Sequence, residues 1–137
     1  MKKITLLDVE KRGDTGEPLI SLLYGLGLVE YTKSESPLII AVVKLFLKNR
    51  DRSLRYSEII NQLGNKNSKD KRSHIVKICR RLSSIGILEE LAIMPSDKKR
   101  WERAYKYKGF NRAIKTIRRH SEDIFEQLEE LSREVDR

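Results

Sequence analysis

Basic side chains cluster in the stretch NSKDKRSHIVKICRRLSSIGILEE, which runs from Asn67 to Glu90. Lys and Arg carry fixed positive charge and donate hydrogen bonds, so the chemistry they offer is the binding of phosphates or of base edges. The candidate contact residues are Lys69, Arg72, Ser73, His74, Lys77, Arg80 and Arg81. The sequence does not sort them into base contacts and phosphate contacts.

A second basic cluster, DKKRWER, follows at 97–103, and its candidate contacts are Lys98, Lys99, Arg100 and Arg103. Residues 44–119 contain 22 basic and 7 acidic side chains, a net of +15, whereas the whole chain has a net charge of +9. Such a concentrated positive field attracts a polyanion. The alternative is a solvated cationic surface, with Trp101 packed back on the domain.

Other chemistries have little support in the sequence. There is no Gly-rich phosphate loop and no Ser/His/Asp or Cys/His set, so we expect no enzyme and no cofactor. His74 and His120 have no second metal ligand at helical spacing, so we expect no metal site. The single Cys79 excludes an internal disulfide. It shares a face with apolar residues, which favours a buried structural thiol over a redox sensor.

Hydrophobic spacing predicts the elements that position these residues. We expect a helix from Ser36-Pro37 to about Lys48, a very short strand at 54–55 and a short helix from Tyr56 to Gly64. A basic helix follows at about 68–85, with one apolar face, and Gly86 ends it. That face consists of Ile75, Ile78, Cys79, Leu82 and Ile85. Two strands, 87–93 and 103–110, then flank the basic loop. The predicted fold class is mainly α with a small β-hairpin (α+β).

The last helix, of about 26 residues from 110 onward, has an apolar residue at almost every a and d position of a heptad repeat. The predicted seam between two chains consists of Phe110, Ile114, Ile117, Ile124, Leu128, Leu131 and Val135, with Ser121 as the polar exception. The repeat predicts a homodimer through residues 110–137. Docking of part of the stripe on its own domain is the alternative.

Residues 1–35 form an N-terminal extension that we expect to pack on the domain or on the dimer. The stretch from Leu23 to Glu30 echoes the stretch from Leu82 to Glu89, with Gly27 corresponding to Gly86. The echo predicts the same helix–Gly–strand boundary. It does not predict a second DNA-binding unit, because the basic face is absent.

The segments YSEIINQLG, HIVKICRRLSSIGILEE and SDKKRWERAYKYKGF together resemble the winged helix-turn-helix of MarR-, ArsR- and PadR-type transcriptional regulators. The resemblance covers roughly residues 37–135. It implies a DNA-binding domain at 36–109, whose basic helix lies in the major groove. It also implies that the loop at about 95–103 is a wing that touches the flanking backbone or minor groove.

From these observations we expect a cytoplasmic, homodimeric regulator that binds double-stranded DNA sequence-specifically. The effector, if any, is unknown. Alternatives are a plasmid or viral replication or partition protein and, in another class, a protein-interaction scaffold. The longest apolar run, at 37–43, is far too short to span a membrane, and we expect no signal peptide and no membrane partner.

Overall fold

The computed structural model describes residues 6–7, 17–29, 36–63 and 68–137. These residues form five helices and three strands, which agrees with the predicted α+β class. In chain order the elements are α1 (Pro18–Gly25), α2 (Ser36–Lys48), β1 (Leu54–Arg55), α3 (Tyr56–Gln62), α4 (Ser68–Ser84), β2 (Leu88–Ile93), β3 (Glu102–Tyr107) and α5 (Phe110–Val135).

The helices α2 and α4 bury the faces that their apolar spacing predicts. In α4 the buried side chains are Ile75, Ile78, Cys79 and Leu82, and Ile85 follows just after the helix. In α2, Ile39, Val42, Val43, Leu45 and Phe46 are buried, and Leu38 and Leu47 are half-buried. The predicted end of α3 at Gly64 lies outside the described residues.

The three strands form one antiparallel sheet in the order β1-β3-β2. The hairpin β2–β3 confirms the two strands predicted around the basic loop, with bounds shifted by about one to three residues. In the central strand, Ala104 and Tyr105 are both fully buried. Successive strand residues point to opposite faces, so both faces of the sheet are covered at this point.

The two turns that follow α1 and α4 have the same geometry. The amides of Gly27 and Leu28 donate to the carbonyls of Tyr24 and Leu23, and those of Gly86 and Ile87 donate to Ser83 and Leu82. Both glycines have positive φ, 70° and 92°, which a residue with a Cβ adopts only at a cost. The predicted echo is therefore a shared helix ending. Within the described residues no strand follows Gly27.

The N-terminal helix packs on the rest of the chain. The core side chains Leu23, Leu26, Leu28 and Val29 belong to the same buried cluster as those of α2, α4 and the sheet. Residues 23–29 thus share one core with the other described elements.

Among the residues that the structure describes, the last helix packs on the domain only at its start. The amides of Lys108 and Gly109 donate to the carbonyl of Ile87, and Phe110, Ala113 and Ile117 are buried in the core. Phe110 and Ile117, expected in the seam between chains, are thus covered by their own domain, and Ile114 is half-buried against it. Farther along, the seam positions Ile124, Leu128, Leu131 and Val135 are exposed.

No helix within the described residues is both long enough and apolar enough to cross a membrane.

Candidate nucleic-acid interface

The outward face of α4 carries positive charge that the described part of the chain does not neutralise. Between residues 72 and 84 the sequence has no carboxylate. Arg72, Ser73, Lys77, Arg80 and Arg81 are exposed there. Neither Lys77 nor Arg80 forms an ion pair with any described carboxylate. The face therefore presents two cations to solvent on a rigid helix whose opposite side is fixed in the core.

The two flanks of this face make contacts within the chain. On one side the Arg72 guanidinium lies 5.7 Å from the centre of the Tyr56 ring. On the other side Arg81 donates from Nη2 to the carbonyl of Gly27 and so ties α4 to the turn after α1. His74 is half-buried and lines a shallow depression with side chains of α2. The side chain of Lys69, another predicted contact, lies outside the described part of the chain.

The basic loop between β2 and β3 contains both paired and unpaired cations. Lys98 Nζ lies 2.6 Å from Glu102 Oε1, and Arg103 forms an ion pair with Glu90. The hydrogen bond from Lys98, helped by Arg55, lowers the pKa of Glu102. Lys99 and Arg100 are exposed and form no ion pair with a described carboxylate. Of the four predicted loop contacts, these two have their charge free for a ligand.

Arg55 braces the loop against the rest of the domain. Its guanidinium lies within 3.1 Å of Glu58, 3.3 Å of Glu102 and 3.5 Å of Asp97, so one side chain joins α3, β3 and the loop. The hydrogen bond with Glu58 is the main reason that the pKa of Arg55 is raised. The sequence did not predict these ion pairs, because Arg55 and Glu102 are far apart in the chain. Only Arg55 and Glu58 are close enough in sequence for their spacing to indicate a contact.

A pair of tyrosines joins α3 to the central strand. The hydroxyl groups of Tyr56 and Tyr105 lie 2.8 Å apart, and their rings are in tilted contact with centroids 5.6 Å apart. Burial raises the pKa of Tyr105, which keeps its hydroxyl neutral and able to donate. Because the Arg72 guanidinium also lies over its ring, Tyr56 contacts both α4 and the central strand.

The structure shows the burial of Trp101, which the sequence left open, and of Cys79. Trp101 is 66% exposed, so its indole does not pack back on the core. Cys79 is fully buried, and burial raises the pKa of its thiol to about 12, which keeps the thiol protonated at neutral pH. A protonated thiol without access to solvent is a poor redox sensor, in line with the structural role expected from the sequence.

Among the residues that the structure describes, no three His, Cys, Asp or Glu side chains lie together in a way that could hold a metal ion. No protein-family model matches the chain, and no curated protein or solved structure matches it significantly.

Proposed function

We propose that the chain is a sequence-specific double-stranded DNA-binding protein with a winged helix-turn-helix architecture. In this proposal α3 and α4 are the helix-turn-helix, α4 enters the major groove, and the β2–β3 hairpin is the wing. The observation that carries the proposal is the unneutralised cationic face of α4, with exposed Lys77 and Arg80 and no carboxylate between residues 72 and 84.

The distribution of carboxylates supports this interpretation over a generally solvated cationic surface. Among the described side chains of residues 44–119, the carboxylates Glu58, Glu89, Glu90, Asp97 and Glu102 each pair with a Lys or Arg outside α4. None of them pairs with a cation of α4. A surface that is charged only for solubility mixes both signs, whereas a surface that binds a polyanion keeps its cations free.

The arrangement of rigid and free cations supports two kinds of contact. Lys77 and Arg80 project from a helix with a buried opposite face, and an α-helix fits the width of the major groove. Lys99 and Arg100 project from a loop that Arg55 braces, where they suit phosphate contacts. We therefore assign base readout to the helix and backbone positioning to the loop.

We further propose that the protein acts as a homodimer, joined through the distal half of α5, residues 122–135. The exposed apolar side chains there are Ile124, Phe125, Leu128, Leu131 and Val135. Four of them continue the heptad spacing. The e and g positions beside them hold mainly uncharged residues, Phe125, Gln127 and Ser132, so a second copy meets little repulsion at the seam. The acidic side chains lie mostly on the outer face.

A second copy brings a second α4, so the proposed site on DNA is a (pseudo)palindrome with two half-sites. The dimer also doubles the phosphate contacts. We favour a transcriptional role for this DNA binding.

The test is duplex binding measured by fluorescence anisotropy as a function of salt, after selection of a preferred site from random duplex DNA. If the dimer neutralises about 6–10 phosphates, affinity should fall by about 10³–10⁵ between 50 and 200 mM salt. Affinity that does not change with salt, or no binding at 50 mM, would refute the DNA proposal and leave the interaction scaffold.

Matched variants separate the helix from the loop. Lys77→Ala should reduce discrimination between the selected and a random site, whereas Lys99→Ala should weaken both sites equally. Arg133→Ala removes the same charge from the outer face of the distal half and should leave affinity unchanged. Equal losses on both sites for Lys77→Ala would mean that α4 contacts only the backbone.

A further inference from the structure

An open cleft lies between the start of α3, the first described turn of α4 and the β2–β3 loop. Its volume is about 460 Å³, and its walls include Tyr56, Arg72, Lys98, Arg100, Trp101 and Arg103. Four cations and a single carboxylate, Glu102, face the cleft. The cleft thus combines net positive charge with two aromatic rings, one of which is already covered by Arg72.

Trp101 is the apolar surface that remains open in this cleft. It is the only tryptophan of the chain, and 66% of it is exposed. Tryptophan is highly buried on average, so an indole exposed to this degree among cations needs a reason beyond packing. It follows directly after Arg100 and precedes Glu102, the first residue of β3, which pairs with Ile93.

The cleft is held in place before any ligand arrives. Lys98 and Arg103 are occupied by Glu102 and Glu90, and Arg55 fixes Glu102 from the other side. Arg100, in contrast, has no ion pair with a carboxylate that the structure describes, and neither has Arg72, whose guanidinium lies over the Tyr56 ring. Arg72, Arg100 and the indole of Trp101 can therefore contact a ligand, while ion pairs of their neighbours hold the loop in place.

We propose that Trp101 packs against a deoxyribose of bound duplex DNA, while Arg72 and Arg100 hold the phosphates of the same strand. The inference rests on the proposed DNA-binding function and adds to it a contact that charge alone does not supply. The backbone of duplex DNA alternates phosphates with the apolar carbons of its sugars, and an apolar side chain among cations can contact both. Trp101 then contributes affinity that is insensitive to salt.

The single tryptophan makes the contact directly measurable. A duplex oligonucleotide carrying a fluorophore reports binding by anisotropy, and an unlabelled duplex of the same sequence is used to follow Trp101 emission and its quenching by acrylamide. Binding should change the indole emission and reduce its quenching by acrylamide. Trp101→Ala should weaken binding about tenfold, and Trp101→Phe should recover most of the loss. The salt slope should be the same for both variants as for the wild type.

Met94 provides the matched control, because it is exposed on the other side of the same loop and does not line the cleft. Met94→Ala should leave affinity unchanged, and circular dichroism should show that all three variants fold. If anisotropy rises while Trp101 emission and quenching stay constant, or if Trp101→Ala binds like the wild type, the inference is wrong and the DNA proposal stands. If anisotropy does not rise for any duplex at low salt, both fail.

Discussion

The two halves of α5 have the same heptad spacing but opposite surroundings. In the proximal half, residues 110–121, Ile117 is 6% exposed within its own domain, whereas in the distal half Leu128 is 54% exposed. The difference arises because the proximal half packs beside the turn at Gly86, whereas the distal half extends past the end of the core. A continuous apolar stripe therefore predicts that a helix face is buried. Whether its own domain or a partner chain buries it depends on the surroundings of the helix.

The largest effect is expected for a charge in the proximal half. Ile117→Asp removes buried apolar surface and places a carboxylate in the core without a partner, which should cost about 4 kcal/mol or more. Since small domains are stable by about 5–15 kcal/mol, much of the stability should be lost. Urea unfolding followed by circular dichroism measures the change. A variant as stable as the wild type would mean that the proximal half is not fixed to the core.

The same substitution in the distal half should leave the fold intact and act on assembly. Leu128→Asp places two carboxylates opposite each other in the proposed apolar seam, so we expect dimer dissociation to become easier by about 100-fold or more. Light scattering over a range of concentrations measures the mass, with circular dichroism as the folding control. A wild type that is monomeric at tens of micromolar, or a variant that remains dimeric, would refute the homodimer.

A smaller pair of substitutions compares one heptad position in both halves. Ala113 and Gln127 are both g positions, but Ala113 is fully buried beside Gly86, whereas Gln127 is exposed. Ala113→Leu should cost about 1–3 kcal/mol through overpacking, and Gln127→Leu should leave the free energy of unfolding of the monomer nearly unchanged. Thermal unfolding in the Leu128→Asp background measures both. Equal changes in the free energy of unfolding for the two variants would mean that the two halves of α5 do not differ in packing.

Much of the fold follows from local patterns. The apolar face of α4, the glycine that ends it, the two hairpin strands and the bounds of α5 were all predicted, because each depends on residues close in sequence. The α+β class follows from their order. The point at which α5 leaves the core was not predicted, since the heptad pattern is the same on both sides of Ile117.

The candidate site was predictable in its residue types but not in their contacts. Charge clustering identified α4 and the loop. The neighbouring sequence does not distinguish Arg103, which pairs with Glu90, from Arg100, which has no described carboxylate partner. The brace at Arg55 and the pair Tyr56–Tyr105 join segments that lie far apart in the chain, so no spacing indicates them. For Trp101 the neighbouring residues in the sequence were compatible with either a buried or an exposed indole.

The register of the sheet also implies an order of folding. The hairpin β2–β3 closes across the short loop 94–101, whereas Leu54 reaches Tyr105 only after the chain between them has been brought back. Closing the longer loop costs more entropy and contributes only the few hydrogen bonds of a two-residue strand. We therefore expect β1 to dock late, once α3 and α4 have packed. Arg55 belongs to this late-docking strand, so we expect its ion pairs with Asp97 and Glu102, which brace the cleft, to form only when the rest of the domain has folded.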